Sequence, residues 1–184
     1  ADEKIIIWDL YSGEVLKIIE DFKNEIKCID LCPAGKMLAA CGENDEIFLW
    51  DFPQGILRGT LKGHEKNVLF MSFNPNGDQI LSVGDDNQMI VWNVNQLKHI
   101  RKTEIEPLTM KNSGVEIKYA RCSFDKYFVG IGIEETVLEK GGKSMIFKYN
   151  MTFYEWNTGK ELETISGNNK ILDVFCLSPD KNYL

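Results

Sequence analysis

Three tryptophans set the length of one structural unit in this chain. Trp8, Trp50 and Trp92 recur at an interval of 42 residues, and each is followed by an acid or an amide: Asp9, Asp51 and Asn93. Their surroundings recur with them, since "NDEIFLWDF" at 44–52 is a near copy of "DNQMIVWNV" at 86–94. A fourth, Trp156 with Asn157, falls 64 residues after Trp92, as though an insertion had stretched one period. A repeat of this length means like supersecondary units, each needing its neighbours to bury its apolar faces.

A second marker runs in phase with the first. "LCPAGK" (31–36), "FNPNGD" (73–78), "CSFDK" (122–126) and "LSPDK" (177–181) each follow an alternating apolar stretch. Proline presets the backbone dihedral while Gly, Asn or Asp accept the reversal, so each reads as a hairpin turn. Between the markers lie short segments rich in Ile, Val and Phe, about 8 to 12 residues apart, which predicts antiparallel strands. One unit reads as strands over 67–73, 79–83, 88–94 and 97–103, and the preceding unit as 25–31, 36–41, 46–52 and 56–61. No helical period persists for three turns.

Four short strands per 42-residue unit, with Trp and Asp closing the third, resemble the WD-repeat β-propeller family over essentially the whole chain. The best match carries Gly63 and His64, then Ser82 on the second strand, Asp86 in the next turn and Trp92 on the third. The resemblance implies an all-β fold and a structural relay, in which His64 bridges Asp86 and Ser82 and Ser82 reaches the Trp92 indole. The unit ending at Trp50 departs from the pattern: Asn44 stands in place of the turn acid, Ala40 in place of the serine, and no Gly-His pair precedes it. The Trp156 unit also lacks Gly-His, so both relays are expected to be absent or rebuilt. Asp2 precedes Trp8 by the same offset as Asp86 precedes Trp92. The expected organisation is a partial blade over 1–23, blades over 24–62, 63–103 and 104–166, and a partial blade over 167–184. About four blades' worth of sequence is then expected to form part of a seven- or eight-bladed ring, with a closed four-bladed ring as the alternative.

Composition narrows the chemistry. A formal net charge of −7 argues against binding nucleic acid or an anionic membrane through the overall field. The densest basic stretch, "LKHIRK" at 97–102, reads as the solvated face of a strand. No apolar run approaches the roughly 20 residues of a membrane helix, and no signal peptide is visible. The five cysteines, Cys28, Cys32, Cys41, Cys122 and Cys176, include no CxxC pair, so an intracellular location is expected, cytoplasmic or cytoskeletal with the nucleus open. Cys28 and Cys32 read as small core residues and not as zinc ligands.

His64 and His99 are the only histidines, and the relay claims the first. A catalytic Ser82–His64 pair is conceivable, but the buried relay is the better reading. "GGKS" at 141–144 lacks the first glycine of a phosphate loop, since position 137 is Val137. Asp85 with Asp86, and Glu134 with Glu135, read as charges on turns. The chain is therefore expected to have no catalytic residue, metal, cofactor or small-molecule substrate.

Two insertions, 104–114 and 134–149, are where binding is expected, as long connections on a rigid scaffold. The second places Val137, Leu138, Met145, Ile146, Phe147 and Tyr149 around a Gly-Gly pivot. Read as a lengthened turn or projecting hairpin, it either meets a partner or folds back on its own blade. The expected function is a non-catalytic interaction scaffold, with other proteins of an intracellular, cytoskeletal or ciliary assembly as partners. Rival readings are a nucleotide-exchange factor for a small GTPase, an RNA-assembly factor, and a ubiquitin-ligase substrate receptor. The last is weakened because no Arg stands two residues beyond any Trp-Asp or Trp-Asn pair.

Overall fold

Alternating apolar residues between tight turns produce strands throughout: a computed structural model shows fourteen strands and no helix among its described residues. Those residues are 4–104, 116–123, 128–138, 145–155, 158 and 160–168, with side chains described for 4–104, 153–155, 158 and 160–164. The chain divides into two units, Ala1–Lys102 and Thr103–Leu184.

In the first unit, β1 (Ile5–Trp8) pairs antiparallel with β2 (Val15–Ile19). Next come β3 (Ile26–Leu31), β4 (Met37–Gly42), β5 (Glu46–Asp51) and β6 (Ile56–Lys62), side by side in chain order. A second four-stranded sheet repeats this with β7 (Val68–Phe73), β8 (Gln79–Gly84), β9 (Gln88–Asn93) and β10 (Lys98–Glu104). The register irregularities repeat at the same interval as the tryptophans. A bulge between Ile26 and Cys28 returns between Val68 and Phe70, and one between Ile7 and Trp8 returns between Leu49 and Trp50. Bulges at fixed places increase strand twist, which lets successive sheets fan out instead of lying flat.

The turn after each tryptophan shows how the sequence sets this geometry. The Asp9 carboxylate accepts from Tyr11 N and Ser12 N, both at 2.8 Å, and Asn93 Oδ1 accepts from Gln96 N at 2.9 Å. Such Asx turns direct the chain to a residue in the left-handed region. That residue is Gly13 (φ 71°), Gly55 (φ 64°) and Leu97 (φ 54°) in successive units. For a leucine this conformation costs about 1–2 kcal/mol, which its packing against the apolar core between the two four-stranded sheets offsets.

The core lies between sheets, and β4 explains how. Its sequence MLAACG is buried at every position because neighbours cover both faces. Met37, Ala39 and Cys41 join Met71, Ile80 and Trp92 on one side, while Leu38, Ala40 and Trp50 join Ile5, Ile7 and Ile19 on the other. Trp50 and Trp92 are fully buried at matching register positions, opposite Leu38 and Ile80. Trp8 differs. Among the described residues only β2 lies beside β1 in its sheet, and Trp8 is half exposed.

In the second unit, β11 (Glu116–Ser123), β12 (Phe128–Leu138), β13 (Met145–Glu155) and β14 (Glu161–Asn168) again form a sheet in chain order. The insertion read as a lengthened turn is largely strand: β12 and β13 run 11 residues each, paired from Phe128↔Glu155 to Leu138↔Met145. Among the described residues, pairing with β11 reaches Glu134 and pairing with β14 reaches Lys148, while Thr136–Leu138 and Met145–Phe147 pair on with each other as a ribbon. Thr, Val, Ile and Phe sustain that ladder because branched and aromatic side chains suit a pleated surface. The remainder of the first insertion (105–114), the Gly-Gly pivot at 141–142, Trp156 with Asn157, and 169–184 lie outside the described residues.

Candidate functional site

Ser82, at the centre of β8, and Trp92, near the end of β9, bring two polar side-chain groups into an otherwise apolar sheet interior. Buried polar groups require partners, and both find one in a chain of hydrogen bonds. The Trp92 indole N–H donates to Ser82 Oγ at 2.8 Å, and Ser82 Oγ lies 2.7 Å from His64 Nε2. His64 Nδ1 lies 3.0 Å from each carboxylate oxygen of Asp86. An indole can only donate, so the serine hydrogen goes to Nε2 and the imidazole carries its own hydrogen on Nδ1, facing the carboxylate. Every hydrogen then has an acceptor.

Asp86 also accepts from Glu65 N at 2.8 Å and Gln88 N at 3.1 Å, which ties the turn between β8 and β9 to the segment leading into β7. Gly84 leaves the room for this: a Cβ there would stand 2.5 Å from His64 Nδ1 and 2.6 Å from Asp86 Oδ1. Burial is the largest single influence on the Asp86 carboxyl and opposes its ionisation. The bond from His64, together with the Glu65 and Gln88 amides, outweighs it and holds the carboxyl below its ordinary value of 3.8. A group depressed on folding contributes stability that is complete above its unfolded pKa and is lost as pH falls through the folded one. Stability is therefore expected to decline below about pH 4, and Asp86→Asn should flatten that decline while lowering stability at pH 7. Urea titrations of both proteins between pH 7 and 2 check this, and equal acid slopes would refute it.

The wiring from Asp86 through His64 to Ser82 has the connectivity of a serine-hydrolase triad, yet its setting prevents that chemistry. Ser82 is 0% exposed, and its oxygen already holds the Trp92 indole, so no acyl group can approach. The arrangement fastens β8, β9, the turn between them and the segment leading into β7 together. Of the two neighbouring aspartates, only Asp85 is exposed.

One residue packed against the neighbouring sheet was not singled out in the sequence. Phe22 lies 42 residues before His64, as Ala40 does before Ser82 and Asn44 before Asp86. It is fully buried and packs edge-on against Phe48 at 5.0 Å, with Trp50 at 6.4 Å. The relay is thus replaced by an aromatic cluster, and the Trp50 indole N–H is buried with no hydrogen-bond partner among the described residues. Carrying the interval back from His64 would have located Phe22.

The other candidates divide as follows. The basic stretch belongs to β10, mostly exposed, with the His99 ring edge-on to Trp92 and Lys102 bonded to the Gly63 carbonyl. Cys32 and Cys41 are buried and Cys28 half-buried, none of the three in a disulfide. Among the described residues no group of three or more His, Cys, Asp and Glu is placed to hold a metal ion, and no helix is long and apolar enough to cross a membrane. Glu134 and Glu135 lie within β12. Register places Val137 opposite Ile146, Leu138 opposite Met145 and Glu134 opposite Tyr149, with Phe147 opposite Thr136. Their side chains, and the "GGKS" segment, lie outside the described residues.

Comparison with known proteins agrees with this architecture. The family model for the WD domain, G-beta repeat (WD40), matches residues 13–51 and 55–93. Each match runs from a fourth strand through the three following strands to a Trp-Asp or Trp-Asn pair. No curated protein matches the chain. With the matched repeats folded as successive antiparallel strands of four-stranded sheets, residues 13–93 carry two repeats of the WD-repeat family, and the all-β sheets are consistent with propeller blades.

Proposed function

We propose that this protein is a non-catalytic scaffold subunit of a larger intracellular assembly, cytoplasmic or cytoskeletal, and that the β12–β13 ribbon is a principal contact for its partners. WD40 domains are in general interaction modules that mediate protein–protein contacts. The second matched repeat supports that reading here, because its buried relay of His64, Ser82, Asp86 and Trp92 is spent on itself, and a rigid scaffold keeps the ordering cost of association low. The ribbon carries the assignment of the contact: it extends past the described parts of both flanking strands, and Val137, Leu138, Met145, Ile146, Phe147 and Tyr149 all fall on or beside that extension. Register puts Met145 and Phe147 at alternate positions, hence on one face of the ribbon.

Replacing Met145 and Phe147 together by serine is expected to reduce partner capture at least tenfold, since loss of a central apolar anchor commonly costs about 2 kcal/mol or more. The thermal transition should stay in place. Affinity capture from cells with mass spectrometry, run on the wild type and the variant beside a melting curve, makes the comparison. Undiminished capture would remove the ribbon from the interface, and a collapsed transition would assign the two residues to the core of their own blade.

A further inference from the structure

Cys28 and Cys41 stand directly opposite each other on adjacent strands. They are Cα partners across β3 and β4, immediately beyond the bulge that follows Ile26, and neither is in a disulfide. Opposite residues in an antiparallel pair share a face and lie about 4.5–5.5 Å apart at Cα, within the roughly 4.4–6.8 Å that a disulfide spans. Their side chains are hydrogen-bonded neighbours, and both belong to the cluster between the β3–β6 and β7–β10 sheets. The Cys28 thiol also donates to the Met71 carbonyl of β7 at 3.3 Å. This couple therefore sits at the seam between two blades.

We propose that Cys28 and Cys41 form a reversible redox pair, closed by hydrogen peroxide into a cross-strand disulfide and reopened by thiols. Half-buried Cys28 is the group that peroxide can reach, while Cys41 is fully buried. The Cys28 thiol bonded to Cys41, and then burial, push the Cys41 pKa up, which disfavours Cys41 as the first nucleophile. Cys28 sulfur attacks one peroxide oxygen, the O–O bond breaks, and a sulfenic acid and one water result. Cys41 sulfur then attacks the sulfenyl sulfur, the S–S bond forms, and the hydroxyl leaves as a second water. Two thiols lose two electrons and two protons, and peroxide is reduced to two waters. Oxidation also removes the S–H that β3 donates to Met71, so the redox state is read at the blade seam.

The test treats the intact chain with stoichiometric hydrogen peroxide, blocks remaining thiols with N-ethylmaleimide, and measures intact mass and non-reduced peptides. Two thiols should escape alkylation, the underlying mass should fall by about 2 Da, and one linked peptide pair should contain Cys28 and Cys41. Dithiothreitol should reverse all three changes. A Cys32→Ser background removes the ambiguity that Cys28 and Cys32 share one tryptic peptide, and Cys28→Ala or Cys41→Ala should each abolish the link. Full alkylation after peroxide, a Cys28 oxidised only to sulfinic acid, or a link that survives Cys28→Ala would overturn the proposal.

Discussion

Replacing His64 by alanine is expected to lower the unfolding free energy of the Ala1–Lys102 unit by about 3–5 kcal/mol, a large share of the 5–15 kcal/mol typical of a domain. The substitution removes the centre of a buried chain. Asp86 keeps its two backbone donors but loses the imidazole, and the Ser82 hydroxyl hydrogen loses its acceptor. A buried charge with a missing partner is far costlier than a pair that never existed. The neighbouring blade supplies the control, because there Phe22, Ala40 and Asn44 stand at the equivalent places and the cluster is well packed. The triple change His64→Phe, Ser82→Ala, Asp86→Asn is therefore expected to cost less than His64→Ala alone. That ordering is the signature of coupled residues, and urea unfolding at pH 7 measures it. A loss under about 1 kcal/mol for His64→Ala would show that the relay is incidental to the fold.

Gly42→Ala should be comparably damaging for a different reason. A Cβ at this position would stand 1.8 Å from the Glu25 carbonyl oxygen and 2.9 Å from its carbon. That oxygen accepts from Glu43 N at 3.0 Å, a bond repeated one unit later between Asp85 N and Asn67 O. No flexible side chain can give way, so the backbone must separate by more than an ångström, at a cost at or above the roughly 1–3 kcal/mol usual for overpacking. Gly35→Ala is the matched comparison. Its φ of 64° penalises alanine, but nothing lies within 4 Å of the added carbon, so about 1 kcal/mol is expected. Melting temperatures of the two variants separate steric exclusion from dihedral strain; equal shifts would mean that β4 moves aside freely.

The interval between tryptophans determined the strands, their order and the position of the turns, because turn chemistry and the alternation of apolar residues are local properties. The matching strands in the two complete blades of the first unit end within a residue of their predicted limits. His64, Ser82, Asp86 and Trp92 were also legible as a set, through a spacing that needs no coordinates. Phe22 was not, since an aromatic residue before a strand signals nothing until the neighbouring sheet shows what it has displaced. The ribbon at 134–149 was read as an insertion, but whether its residues continue the ladder depends on pairing between β12 and β13, a choice made by the opposing strand.

Cys28 and Cys41 show the same division most plainly. In sequence they are two small residues among five of a kind, and Cys28 was grouped with Cys32, its neighbour along the chain. Only the register of β3 against β4, shifted by the bulge after Ile26, sets Cys28 opposite Cys41, and Cys28 in turn reaches the Met71 carbonyl. Periodicity follows from each segment's own chemistry, so one chain sufficed to reveal it. Juxtaposition follows from which strands meet and by how many residues they slip, and that was decided by packing in three dimensions.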